Sequence, residues 1–294
     1  MNVVTLNSAP TPKGFLNGFS IEVMPRTAAK IHDFNAILPK GTRVYIAHID
    51  GTPIKEMLTT AARLKAEGFE VMPHFPARII ADAATLEDWV KKYADLGISS
   101  ALLLAGGVDT PVGDFSDSMQ LMESGVFDRY GFNRLHIAGH PEGNKDIGAE
   151  EEVMAALKWK SDFKNRTDAQ MAIATQFVFE AQPVIDWTIR MAEAGVNLPV
   201  HIGVAGPAKL QTLIKFSMAC GVGASLRVLT RRARDITKLM RPFTPETVLS
   251  DLAAHKAANP DFPIESVHFF PLGGIRATTD YISSQNDAAT RLRA

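Results

Sequence analysis

The chain has 294 residues, 46% of them hydrophobic and 21% charged, with 31 basic against 32 acidic side chains and a net charge of −1. That length carries one large core or two smaller ones, and the near-neutral balance supplies no bulk attraction for nucleic acid or an anionic membrane. A single cysteine, Cys220, excludes an internal disulfide and a Cys/His zinc spacing and points to a reducing cytoplasm, and neither a secretory signal nor a run of roughly 18 apolar residues is present.

Residues 1–14, MNVVTLNSAPTPKG, read as a tail. Beyond them, short apolar, β-branched or aromatic runs alternate with longer segments of helical periodicity. In chain order the runs are FSIEV from Phe19, RVYIAH from Arg43, FEVMPHF from Phe69, SALLLAG from Ser100, RLHIAG from Arg134, MAIATQFVF from Met171, LPVHIGVAG from Leu198 and SVHFFPLGG from Ser266. Most are roughly 24 to 37 residues apart, the length of a strand, a helix and two loops, and this alternation predicts a parallel sheet. Eight such units predict one α/β domain over residues 15–294, a closed (β/α)8 TIM barrel. The last interval is about twice as long as the others. Within it GPAKLQTLIKFSMACG, SLRVLTRRARDITKLM and TPETVLSDLAAHKAAN each carry a helical pattern, which places extra helices between strands 7 and 8. An open doubly wound sheet ordinarily shows a phosphate-binding glycine fingerprint after its first strand; FSIEVMPRT has no glycine there.

Barrel strands turn one face to the helices and the other to the lumen, where polar residues gather near the C-terminal mouth. In the first strand Phe19, Ile21 and Val23 share the outer face, so Glu22 points inward with Ser20 and Met24. The same alternation in the sixth run sends Ile173, Thr175, Phe177 and Phe179 outward and Ala174, Gln176 and Val178 inward. Glu22 is then either a structural acid with a buried partner or a general acid whose proton is retained by the dry surroundings. Gln176 either satisfies a buried group or fixes a heterocycle by donating and accepting together. His74, His140 and Asn144, in MPHFPAR and AGHPEGN, fall at strand ends, where loop scaffolding and ligand contact are both open. GVGASL at Gly221 imitates part of a dinucleotide fingerprint but follows a helical pattern, so it reads as a helix C-cap, and RRARD reads as a solvated helix face. HExxH, GxSxG and a sixth-strand Schiff-base lysine are all missing, which disfavours hydrolysis and imine chemistry.

In order, FSIEVMPRT, MPHFPAR, LLLAGG, AGHPEGN, ATQFVFE and HFFPLGG resemble the 5,10-methylenetetrahydrofolate reductase family, from about Phe19 to Tyr281. The resemblance implies a catalytic barrel of the bacterial type, a ping-pong flavoenzyme in which NADH or NADPH reduces FAD and FAD then passes hydride to a folate. It implies that Glu22 protonates the folate's imidazolidine ring, a step for which general acids typically supply about 10² to 10⁴ in rate. It assigns Gln176 to the pterin and nicotinamide, and gives FAD contacts to His48, His74, the Ala105, Gly106 and Gly107 loop, His140 and Asn144. Lys160 and Lys164 compete for the cofactor phosphates, with Lys164 preferred.

The chain departs from the family after its fourth strand, where Ala105, Gly106 and Gly107 replace an arginine-glycine-aspartate run and Asp109 is the nearest acid to tune the flavin. The second strand carries Ala47 and His48 where threonine and tyrosine are usual, and Gly274 replaces the arginine that holds the folate tail, leaving Arg276 as its substitute. The Ala105 to Gly107 change motivates a further reading, an offshoot without FAD that takes hydride from another carrier; from a different class, a folate-binding or assembly barrel without catalysis is also open. The expected setting is cytoplasmic, with a small-molecule folate as partner, no nucleic acid and no membrane; a homo-oligomer is compatible with the sequence.

Overall fold

Eight parallel strands close on themselves in chain order, each hydrogen-bonded to the next and the eighth to the first. They are β1 (Ser20–Val23), β2 (Arg43–Ile46), β3 (Glu70–Pro76), β4 (Ser100–Leu104), β5 (Arg134–Gly139), β6 (Gln170–Val178), β7 (Val200–Ala205) and β8 (Ile264–Phe270). The computed structural model describes residues 14–144, 146–219, 229–230 and 242–291. The architecture is the (β/α)8 barrel expected from the spacing of apolar runs.

Outward residues of successive strands, among them Ile21, Val44, Val71, Leu103, Ile137, Ile173, Ile202 and Phe269, form the main core with the surrounding helices. Full burial of an aliphatic or aromatic side chain contributes roughly 1.5–3 kcal/mol, so this layer is the principal stabilising element. The helices supply matching stripes. Ile54–Ala66 buries Met57, Ala61 and Leu64. Ala83–Asp95 buries Leu86, Val90 and Tyr93 and is capped by Asp82, whose carboxylate accepts from the Thr85 amide. Ala181–Glu193 buries Val184, Trp187, Thr188 and Met191 at spacings of three and four. Behind β4 the connection holds two short helices, Ser118–Glu123 and Val126–Arg129, divided at Gly125 with φ +64. A left-handed residue ends the first helix, and glycine occupies that conformation without steric cost.

Of the three extra helices expected before β8, Leu210–Ala219 and Glu246–Ala258 are present. Most of SLRVLTRRARDITKLM lies outside the described residues, together with Cys220, GVGASL, RRARD and residues 1–13 of the expected tail. No described helix is long and apolar enough to cross a membrane.

The alternation expected for β6 holds only to its middle. Ala174 packs in the lumen with Tyr45, Met72 and Leu102, and Ile173 packs outside. Between Ala174 and Phe177 the pairing with β7 slips. One inserted residue reverses the facing of everything after it, so Phe177 reaches the mouth cavity and Val178 joins the outer core, opposite to the expected assignment. Thr175 braces the irregularity by accepting from the Gly203 amide at 2.8 Å and donating to the Gln176 carbonyl at 2.8 Å.

The lumen departs from the usual barrel filling of branched aliphatic residues. Ser20, Tyr45, His136, His201 and His268 are all buried. Tyr45 Oη lies 2.6 Å from His136 Nδ1, and Ser20 Oγ lies 2.9 Å from His268 Nδ1.

Candidate active site at the barrel mouth

A cavity of about 860 Å³ opens at the C-terminal ends of β8, β1, β2 and β3, with Gln176 and Phe177 of β6 facing it from across the barrel. Its wall is chiefly apolar, built from Met24, Ile31, Ile79, Leu104, Phe177, Phe270 and Leu272. A concave apolar pocket with a few convergent polar groups is the usual form of a small-molecule site.

Glu22 is the acid in that wall. It pairs in register with Tyr45, and its side chain keeps 19% of its surface open. Oε2 lies 3.4 Å from His74 Nε2 and 3.9 Å from His268 Nε2. Burial raises the Glu22 pKa, with the nearby His74 opposing it. Burial also pushes His74 down to about 4 against the pull of Glu22, and burial and the Arg43 charge push His268 down to about 3. Desolvation disfavours every charged form here. The two imidazoles are therefore neutral near pH 7, and the contact is between a carboxyl inclined to keep its proton and two uncharged rings rather than an ion pair. A carboxyl that holds its proton more tightly than usual, in the wall of an apolar cavity, has the chemical capability of a general acid.

His48, Gly106, Gly107 and Arg276 line the same cavity. His48 Nε2 lies 2.9 Å from the Thr52 carbonyl, which fixes the proton on that nitrogen, and its ring packs 5.0 Å from Trp89. Gly106 adopts φ +101, and a Cβ there would meet Pro76 at 3.1 Å. Arg276 stands in the first turn of the helix Ile275–Arg291 at the exposed rim, with Lys30 also at the cavity.

The remaining expected contacts lie elsewhere. Ala105 does not line the cavity; its carbonyl accepts from the Arg78 amide at 2.9 Å. Asp109 is exposed and also off the cavity. Between them and the β5 loop stands Arg78, which donates to the carbonyls of Ser116 and Val108 and to Asp146 at 2.9 to 3.0 Å. Gly113 closes onto the same loop so tightly that a Cβ would fall 1.7 Å from the Ala81 carbonyl oxygen. His140 and Asn144 contact each other at 3.1 Å outside the cavity. Lys164 does not reach the cavity: it precedes β6, at the opposite end of the barrel, and donates to the Asn197 carbonyl at 3.3 Å. Lys160 is the lysine on the His140 side. Burial lowers its pKa, Asp117 opposes that shift, and its charge in turn depresses His140.

His268 and Phe270 are site residues that the sequence reading missed. The period-two rule applied to β1 was sufficient to find them, since SVHFF alternates inward His268 and Phe270 with outward Val267 and Phe269. Lys30 carries no such signal, because it lies in the loop between β1 and β2.

No protein-family model matches the sequence. The structure is similar to an uncharacterized protein from Clostridium thermocellum that binds two copies of 5-methyl-5,6,7,8-tetrahydrofolic acid, with a TM-score of 0.60 and 9% identity over 97% of this chain and 98% of that one. A dihydropteroate synthase from Thermus thermophilus aligns at a TM-score of 0.47 and 11% identity, covering 92% of this chain and 93% of the other. At these identities the likeness is one of fold.

Proposed function

We propose that the mouth cavity binds a reduced folate and that the protein interconverts 5,10-methylenetetrahydrofolate and 5-methyltetrahydrofolate, with hydride supplied by NADH or NADPH. The observation that carries this reading is Glu22, a carboxyl with a raised pKa in the wall of a cavity it shares with Gln176. The folate bound by the Clostridium thermocellum barrel agrees in ligand class.

In the reducing direction the Glu22 carboxyl gives its proton to the bridging nitrogen as the methylene-nitrogen bond breaks. The ring opens to an iminium cation, and hydride adds to its carbon to form the methyl group. Glu22, left as carboxylate beside the cation, recovers a proton from solvent after product leaves. Gln176 donates to and accepts from the pterin edge, the apolar wall excludes water from the iminium, and Arg276 and Lys30 at the rim meet the carboxylates of the folate tail.

FAD is met by only part of its expected contacts. His48, His74, Gly106 and Gly107 are at the cavity, whereas Ala105, His140, Asn144 and Lys164 are not, and Asp109 is in solvent. Among the described residues the expected FAD contacts are thus divided between the cavity and positions off it. This favours direct hydride transfer from the nicotinamide. In that case protein purified from its host has no absorbance band near 450 nm and still oxidises NADH or NADPH with methylenetetrahydrofolate.

The deciding experiment is Glu22→Gln. The amide keeps the shape but has no acidic proton, so folate turnover falls by about 10² to 10⁴ while folate binding stays within about threefold. Turnover in the variant equal to that of the wild type refutes the role of Glu22. Folate binding without turnover in the wild type supports the non-catalytic barrel.

A further inference from the structure

At the opposite end of the barrel a second cavity, of about 660 Å³, is lined by the N-terminal residues of the strands. Barrels of this class place catalysis at the other mouth, and the bottom face ordinarily serves stability. Here it is polar. Arg43 donates to Glu70 at 2.9 Å, Arg134 donates to Gln170 at 3.0 Å, and His201 Nε2 lies 2.9 Å from a Glu265 carboxylate oxygen. These contacts leave three groups of the same cavity buried and, among the described residues, without a partner: Arg43 Nε, His201 Nδ1 and Ser266 Oγ. His201 and Ser266 are register partners on β7 and β8.

Buried polar atoms are nearly always satisfied, so three unpaired ones in one cavity call for an occupant. Their chemistry specifies it. Arg43 Nε is a donor with a fixed positive charge. His201 donates through Nε2 to Glu265, and burial holds its pKa down at about 4, so the ring is neutral and Nδ1 presents a lone pair. Ser266 serves either way. The complementary ligand carries an anionic oxygen for Arg43 and a hydroxyl proton for His201. Two guanidiniums line the cavity, Arg43 and Arg134, and both also reach Glu70, at 2.9 and 3.4 Å, so it is the unpaired Arg43 Nε that directs the anionic oxygen.

We infer that the N-terminal end of the barrel is a binding site for a small oxyanion that also bears a hydroxyl group, either a phosphate group retaining one proton or an α-hydroxy carboxylate. The inference does not rest on the folate reading, because every residue in it lies at the face remote from Glu22.

Calorimetric titration of the full chain at pH 7.5 and constant ionic strength, with no folate present, tests it through two pairs of ions. Phosphate and sulfate differ in the hydroxyl proton at that pH, and so do glycolate and acetate. The hydroxyl-bearing member of one pair is expected to bind saturably at one site, at least about tenfold more tightly than its counterpart. Phosphate binding identifies a phosphate group and glycolate binding a hydroxy acid. Ser266→Ala and, separately, Arg43→Lys, which keeps the charge but loses the Nε donor, are each expected to weaken that binding about tenfold. If one variant fails to fold, the other carries the comparison. No saturable binding by phosphate or glycolate means that water alone fills the cavity and overturns the inference, as does equal binding within both pairs.

Discussion

His268 gives the most direct measure of how dry the barrel lumen is. Its ring packs 4.4 Å from Tyr45 and 4.7 Å from Phe270, with Nδ1 2.9 Å from Ser20 Oγ. Burial and the Arg43 charge hold its pKa at about 3 instead of the ordinary 6.5. The folded ring therefore stays neutral while the unfolded chain takes up a proton below pH 6.5. The unfolded state binds the extra proton, so stability falls as pH falls, from the unfolded pKa down to about 3. Each pH unit is worth about 1.4 kcal/mol once the unfolded group is fully protonated. Between pH 6.5, where the unfolded imidazole is already half charged, and pH 4.5 this one residue costs the protein about 2 kcal/mol. His268→Gln removes the titration, and its amide can still bond to Ser20. Urea unfolding of both proteins at the two pH values, with midpoints converted through the measured m-value, isolates the effect, because Glu22, His74 and the other titrating groups are common to both. The wild type is expected to lose about 2 kcal/mol more than the variant on acidification. Equal losses would mean that His268 is charged or hydrated in the folded barrel, and the neutral environment assigned to Glu22 would fail with it.

The β6 irregularity and the loop above β4 make separate predictions. A Cβ at Gly203 falls 2.5 Å from the Thr175 carbonyl and 2.7 Å from that of Gln176, so Gly203→Ala is expected to destabilise by about 1–3 kcal/mol. It should also weaken folate binding by moving Gln176; thermal unfolding and a folate titration read the two effects. Asp117 accepts from the amides of Met119 and Gln120 at the start of Ser118–Glu123. Asp117→Ala is expected to cost about 0.5–2 kcal/mol in chemical denaturation and to leave folate affinity unchanged, since Asp117 lies off the cavity.

Much of the architecture was legible because barrel strands repeat a simple requirement. Their outward residues must be apolar to meet the helices, so Ile21 and Val23, or Leu135 and Ile137, announce both the strand and its facing. The inward direction of Glu22 followed from that parity alone. Parity failed at Phe177 and Val178, because the slip between β6 and β7 leaves no mark in MAIATQFVF that distinguishes it from regular alternation. Loop positions were less legible still. Lys160 and Lys164 are one helical turn apart, and only the packed structure turns one toward His140 and the other to the Asn197 carbonyl at the far end.

The chain by itself determined the eight-fold alternation, the barrel it closes into and the carboxyl on its first inward face, since these depend on periodicity and on which side chains tolerate burial. Tertiary structure decided which loops meet. Arg78 gathers Ser116, Val108 and Asp146 from segments distant in sequence and so ties the loop after β4 to the loop after β5. Tertiary structure likewise brought Arg43, His201 and Ser266 to one cavity at the opposite end. Polar contacts of this kind are set by where backbones cross in space, and a linear pattern of apolar residues carries no record of that.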